Sequence, residues 1–432
     1  MSYEDFDKIR KREIRKIIKL LQNYPCIKYI VFAIGFVLAS EIYIAVVTAN
    51  EIAFGGDPDF SVHWFKRIVN QLTMLYTIIY IAGIYLALSY PVEKKEIEEQ
   101  FRKIGLHNKM NEVPYLIHKS PKCNEDNVTF WQFRSTSIPL QEWLDRIAEI
   151  EVALNVTVIK IRYLIDKTII EMQTVPAQDS LPKMIKWNDS SLWDNDYQFS
   201  LGRGYLGEVS INLNSIPHVL IGGSTGSGKS VLLKLILMQA IKSNSIVYIS
   251  DFKVGVDYSP IWHKKCKICI DEIELLNVLS GIINELEKRK VLFREAGYPE
   301  IEEYNLMTKS QLKRIFFACD EVAEILDRTG ADADRKKLLN QIENKLSIIA
   351  RQGRAFGMHL LLATQRPDAT IIPGQIRNNL DCRICGRADN VLSQIILDST
   401  MAADQIPKDS QGLFMMNDGT LFQAYWFDED EL

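Results

Sequence analysis

Residues 216–241 read IPHVLIGGSTGSGKSVLLKLILMQAI, and no other stretch restricts the fold of this chain so tightly. An apolar strand runs straight into a glycine-rich loop, and the loop straight into an apolar helix. A strand–loop–helix unit of this kind belongs to a parallel α/β sheet, in which helices cross over between strands. Gly223, Ser224, Thr225, Gly226, Ser227, Gly228, Lys229 and Ser230 satisfy the spacing G-x-x-x-x-G-K-[ST]. Glycines let the backbone curl until its N–H groups converge on phosphate oxygens. Lys229 then brings charge to the β and γ phosphates, and the Ser230 hydroxyl is placed to join the shell of a Mg²⁺ ion. The helix that starts here adds the positive end of its dipole. ATP and Mg²⁺ are therefore the expected ligands.

Three further strands fit this scheme. Arg314–Glu321 reads RIFFACDE, an apolar strand that ends in two carboxylates. Asp320 is the candidate partner of the Mg²⁺ shell, and Glu321 the candidate that orients or deprotonates an attacking water. Gly357–Pro367 reads GMHLLLATQRP, a buried strand that runs into polar Thr364 and Gln365. Gln365 is a candidate sensor of the γ-phosphate; the plainer alternative is that it caps a turn before Pro367. Ser245–Asp251 (SIVYISD) supplies another strand. Strands alternating with helices predict a doubly wound core with its ligand at the strand ends.

The other end of the chain differs in character. Tyr29–Val47 and Leu72–Tyr90 are apolar runs close to the roughly 20 residues that cross a bilayer. Lysines and arginines crowd before the first run (Lys8, Arg10, Lys11, Arg12, Arg15, Lys16, Lys19, Lys28) and after the second (Lys94, Lys95, Arg102, Lys103), while the loop between offers Lys66 and Arg67. That bias predicts a multi-pass cell-membrane protein with both termini and the bulk of the chain in the cytosol. Glu41 sits late in the first run, either at the outer interface or in a helix–helix contact. The basic segment before it either lies on anionic lipid or simply sets topology. The expected layout is a basic N-terminus (1–28), a transmembrane hairpin (29–90), a small α+β region and linker (91–195) and a nucleotide-binding domain (196–432). In the α+β region, Leu140–Leu154 has helical spacing, Val156–Met172 alternates as a hairpin around Asp166-Lys167, and Pro176–Asn195 has linker composition. The net charge of −4 argues mildly against a protein that coats nucleic acid with a broad basic face. Seven cysteines, an odd number, point to reduced thiols. Cys266/Cys269 and Cys382/Cys385 have C-x-x-C spacing. Both pairs sit in strand-like runs where residues three apart face opposite sides, which favours buried thiols over zinc.

Taken together, IPHVLIGGSTGSGKS, FFACDE and GRAFGMHLLLATQRP followed by IPGQIRNNLDCRI resemble the FtsK/SpoIIIE family of hexameric DNA translocases, over about residues 200–425. The resemblance implies a RecA-like P-loop ATPase motor, a homo-hexamer around DNA, and ATP sites shared between neighbouring subunits. It matches Lys229 and Ser230 to the Walker A positions, Asp320 and Glu321 to Walker B, and Gln365 to the sensor strand. Arg354 and Arg383 are candidates for an arginine inserted by a neighbour, with a surface or structural ion pair as the alternative at each. Arg377 is a candidate DNA contact facing the pore. Departures from the family include the two predicted spans and the absence, before Leu432, of a C-terminal winged-helix module. That reduced layout resembles the coupling proteins of Gram-positive conjugative elements, which implies a relaxase and a transfer channel as partners and leaves the strandedness of the DNA open. The alternatives are a protein-export motor of the type VII secretion kind and a translocase for chromosome or plasmid partition.

Overall fold

The computed structural model describes residues 92–432 apart from 121–126, 165, 194–196, 254–255 and 367–371, together with scattered residues between 35 and 78. The basic segment 1–28 and most of both apolar runs lie outside the described residues. Where the first run is described, at 41–46, it is helical; among the described residues no helix is long and apolar enough to cross a membrane. Cys26 and Cys123 also fall outside.

The described residues form two compact units, one holding those up to 120 with 130–156 and 161–172, the other 127–129, 157–160 and those from 173 to 432. In the smaller unit, helix α1 (Val92–Lys103) leads to strands β1 (Tyr115–Lys119) and β2 (Thr129–Arg134), then to helices α2 (Leu140–Leu144) and α3 (Ile147–Leu154). Strands β3 (Val156–Tyr163) and β4 (Ile169–Pro176) complete a four-stranded sheet of order β1-β2-β4-β3. Asn155 takes a left-handed φ of 53° and turns the chain from α3 directly into β3, a conformation a short amide side chain tolerates. The hairpin falls where the alternation placed it. Asp166 accepts from the backbone N–H and the hydroxyl of Thr168 at 2.7 and 2.6 Å, and these bonds hold its carboxyl below the usual range. Phe101, Phe133 and Trp143 form a fully buried aromatic core with centroids 5.2–5.4 Å apart. The Trp143 indole N–H is satisfied by Ser135 Oγ at 3.0 Å.

The larger unit is built on one sheet. Its strands are β5 (Ile185–Lys186), β6 (Gln198–Gly204), β7 (Gly207–Asn212), β8 (Val219–Gly222), β9 (Ile246–Ser250), β10 (Lys267–Cys269), β11 (Ile315–Cys319), β12 (Met358–Thr364), β13 (Cys382–Cys385), β14 (Leu413–Met416) and β15 (Leu421–Trp426). The order is β10-β9-β11-β12-β8-β13-β14-β15-β6-β7, with β5 added beside β15. From β10 to β13 all pairs are parallel, and from β13 to β7 all are antiparallel.

Both faces of the parallel part are covered, so its strands are apolar throughout. Side chains alternate between two cores. Along β12, Met358, Leu360 and Leu362 enter one core while Leu361 and Ala363 enter the other; along β11, Ile315, Phe317 and Cys319 oppose Phe316 and Ala318. Helix α4 (Lys229–Lys242) covers the second core, and α5 (Glu272–Ala296) and α6 (Ala333–Gln352) cover the first. The C-x-x-C pairs obey the same alternation. Cys382 faces one core and Cys385 the other, as do Cys266 and Cys269. Burial pushes these four thiols up to about 12, and among the described residues no group of three or more His, Cys, Asp or Glu side chains gathers around either pair to hold a metal.

Within the stretch of linker composition, β5 pairs with β15, and Trp187 is buried in the second core against Tyr425 at a centroid distance of 5.6 Å.

Candidate nucleotide site

The strand order brings distant segments of the chain together. β8 ends at Gly222 and opens the phosphate loop. β12 lies between β8 and β11, with Thr364 level with Gly222 and Cys319 level with Leu362. The loop, Thr364-Gln365 and Asp320-Glu321 therefore emerge at one edge of the sheet, around a cleft of about 260 Å³.

Local sequence shapes the loop. Gly226 and Gly228 have φ of 76° and 97°, values that side chains other than glycine resist. A Cβ on Gly228 would also stand 3.1 Å from the Gly412 nitrogen. The loop is tied from outside at three points. Ser224 N–H donates to the Arg387 carbonyl at 2.7 Å, the Arg387 guanidinium donates to the Thr225 carbonyl at 2.6 Å, and Gly412 N–H donates to the Ser227 carbonyl at 2.9 Å.

Around this frame the polar side chains converge. The Lys229 ammonium donates to the Asp320 carbonyl at 3.0 Å and lies 3.9 Å from Glu321 Oε2. Ser230 Oγ donates to Asp320 Oδ2 at 2.8 Å. Glu321 is buried and held by three donors: Thr364 Oγ1 at 2.8 Å, Gln365 N–H at 3.0 Å and Ala323 N–H at 3.3 Å. The Gln365 side chain accepts from Thr225 Oγ1 at 2.9 Å, which places it against the loop; the turn before Pro367 lies outside the described residues. Asp320 Oδ1 is buried and, among the described residues, has no hydrogen-bond partner. An orphaned carboxylate oxygen on a residue whose other oxygen meets the Ser230 hydroxyl, at a cleft that Asp320 and Ser230 both line, fits a magnesium shell completed by phosphate and water oxygens.

Several residues of the site were not singled out from the sequence. Asp251, at the end of β9, is buried with one oxygen unpartnered among the described residues. Lys253 lines the cleft, and its ammonium is raised by the bond to Asp257, with Asp320 and Glu324 adding to the effect. Burial raises the Glu324 carboxyl. Asp251 closes the strand SIVYISD just as Asp320 closes its own, a signal visible in the sequence. Nothing local marks Arg387 or Gly412 as braces of the loop.

The candidate arginines lie elsewhere. Arg354 is exposed near the amino end of β12, where it donates to the Asn214 carbonyl at 3.3 Å, at the opposite edge of the sheet from the loop. Arg377 and Arg383 both pair with Asp398, so the fold joins these two to each other, and neither lines the cleft.

A phosphate loop at the end of a central parallel strand, an acid pair two strands away and a polar strand end between them define a phosphate-loop nucleotide-binding α/β protein. The FtsK/SpoIIIE family profile matches residues 188–369. The chain is 28% identical to the DNA translocase FtsK of Oceanobacillus iheyensis over 327 residues, 71% of this chain and 40% of that protein. It is 27% identical to the DNA translocase SpoIIIE of Bacillus subtilis over 311 residues, 67% of this chain and 37% of that one. It thus spans between about a quarter and two fifths of the length of the curated relatives it matches. Among solved structures it resembles the pCW3 conjugation coupling protein TcpA, a monomer form with ATPγS, at 33% identity and a TM-score of 0.59, over 79% of this chain and 97% of that one. The chain belongs to the FtsK/SpoIIIE family.

Proposed function

We propose that this chain is an ATP-driven DNA translocase that serves as the coupling ATPase of a conjugative element, delivering DNA to a transfer channel. The observation that carries the reading is the acid pair Asp320-Glu321 held across β12 against Lys229 and Ser230. The likeness over nearly the whole of a conjugation coupling protein supports the finer assignment.

In this reading ATP is the substrate. The loop N–H groups and Lys229 hold its β and γ phosphates, and Glu321 orients the attacking water and takes its proton. Thr364 fixes the Glu321 carboxylate, and Gln365 reads the γ-phosphate side of the cleft. Ser230 and Asp320 hold Mg²⁺, which neutralises charge on the phosphates when bound. An arginine from a neighbouring subunit completes the site in a hexamer, and Arg354 is the exposed candidate. The apolar runs 29–47 and 72–90 anchor the motor in the membrane with its bulk in the cytosol. DNA is gripped through its phosphates, so binding tolerates sequence and weakens with salt. A relaxase bound to the DNA and the transfer-channel proteins are the partners this role requires.

The test is the ATPase rate of the purified full-length protein, with duplex DNA, with single-stranded DNA and without either, beside a Glu321→Gln control. Stimulation by either form, lost in the control, supports the motor and identifies the strand it grips. A rate indifferent to DNA in an assembled protein would sink the reading and direct attention to a polypeptide substrate.

A further inference from the structure

The phosphate cleft has a neighbour. A second hollow of about 270 Å³ shares Ser230 and Val231 with it and is walled by Lys234, Trp426 and Asp428. Val231 follows Ser230 directly, and Lys234 lies one helical turn, about 6 Å, further along α4. The second hollow therefore begins where the first ends, along the side of the helix that carries the loop.

Sheet topology puts Trp426 there. β13 runs parallel to β8, β14 reverses that direction, and β15 reverses it again. The carboxyl end of β15 thus leaves the sheet at the same edge as Gly222 and the phosphate loop. Its position is fixed, because Trp426 is in register with Lys186 and its carbonyl accepts from Trp187 N–H at 2.7 Å. Strand alternation buries Tyr425 and Phe427 to 8% and 5% exposure and turns Trp426 outward at 41%. Val231, on the loop helix, is likewise exposed at 36%. Two apolar side chains are left facing water beside a site for a charged ligand.

Charge separates the hollows. The Lys234 ammonium is already committed to the Asp257 carbonyl and the Glu429 carboxylate, and sits 4.8 Å above the Tyr258 ring. Glu429 is further bound by Ser259 Oγ at 2.7 Å and the Trp262 indole N–H at 2.9 Å. The second hollow therefore presents Asp428 and no uncommitted cation among its described walls. A polyphosphate is repelled there, whereas a neutral planar ring gains contact on an aromatic face.

From this geometry we infer that the hollow beside Trp426 is the nucleobase subsite, with Trp426 stacking on the purine ring of the nucleoside triphosphate and Val231 lining the same pocket. The inference rests on the assignment of the neighbouring cleft to the phosphates. Trp426 acts in recognition of the base and takes no part in hydrolysis.

The test measures, by calorimetry on the full-length protein, the affinities for ATP and for inorganic tripolyphosphate, which has phosphates and no base. The variants are Trp426→Ala, Trp426→Phe and, as a phosphate-site control, Lys229→Ala. Trp426→Ala should weaken ATP about tenfold, the scale of base–aromatic stacking, and leave tripolyphosphate unchanged. Trp426→Phe should keep most of the ATP affinity, and Lys229→Ala should weaken both ligands. ATP binding unaltered in Trp426→Ala overturns the subsite and leaves the phosphate site standing. Equal loss of both ligands in Trp426→Ala also overturns it, because the side chain is then structural. A wild-type protein that binds neither ligand removes the phosphate site and the subsite together.

Discussion

The hydroxyl of Thr364, at the end of β12, donates to the carboxylate of Glu321, at the end of β11, at 2.8 Å, and both side chains are buried. With Gln365 N–H and Ala323 N–H on the same carboxylate, the bond fixes where Glu321 points. In the proposed motor Thr364 is a positioning residue for Glu321. Its replacement by Val keeps the shape and removes the donor. Thr364→Val should leave nucleotide affinity within about twofold and lower kcat about tenfold, the usual scale for loss of a group that orients a reacting side chain. Steady-state ATPase kinetics check this, and a fall in affinity equal to the fall in kcat would contradict it.

Gly228 holds φ at 97° with the backbone of Gly412 against it. Gly228→Ala should cost about 1–3 kcal/mol in stability through backbone strain. It should also displace the loop N–H groups, and nucleotide binding should fall further than that cost alone requires. Thermal melts with and without ATP separate the two effects: the wild type gains stability from ATP, and the variant should gain almost none.

Asp398 binds Arg377 and Arg383 together. If that is the work of Arg383, then Arg383→Ala and Asp398→Asn should each cost under about 1 kcal/mol, and the double variant should cost little more than either. Turnover per folded molecule should stay within a few-fold. A large loss of turnover in Arg383→Ala alone would instead assign it to the neighbour's ATP site.

His218 and His359 make the fold sensitive to acid. His218 accepts the Leu360 N–H on Nδ1 and bonds the Ala350 carbonyl through Nε2. His359 bonds the Pro217 carbonyl through Nδ1 and faces the Arg314 guanidinium with Nε2. Each ring thus has one nitrogen that must remain unprotonated. Burial pulls His218 down to about 4, and burial with the nearby Arg314 charge pulls His359 well below the ordinary value. The unfolded chain takes up these protons near pH 6.5, and the folded chain does so only at lower pH. Stability is therefore full above about pH 6.5 and is lost as pH falls towards 4, with His218 alone contributing about 2 kcal/mol of loss between pH 7 and pH 5. Denaturant unfolding at the two pH values measures it, and equal stabilities would contradict the neutral-ring assignment.

Much of the core was legible in the sequence. The apolar strands, the loop spacing and the carboxylates closing a strand are local features, since a residue's periodicity and its glycine-permitted dihedrals are set within a few neighbours. The two faces of β11 and β12, and the opposed cysteines of each C-x-x-C pair, followed from the two-residue repeat of a strand. The small α+β region could be read for the same reason. Less was legible where tertiary context overrides composition: residues 185–187 lie in a stretch of linker character, yet they pair with β15 and bury Trp187.

The amino-acid sequence by itself determined that this chain builds a phosphate loop on a parallel strand and supplies an acid pair and a polar strand end to accompany it. Only the tertiary structure decided that β12 sits between the other two strands, so that Thr364 meets Glu321, that Arg387 and Gly412 brace the loop, and that Arg377 and Arg383 turn to Asp398. The physical reason is the pairing of parallel strands. Their order is set by crossover connections and by which apolar faces bury each other, and these contacts join segments that no local pattern relates.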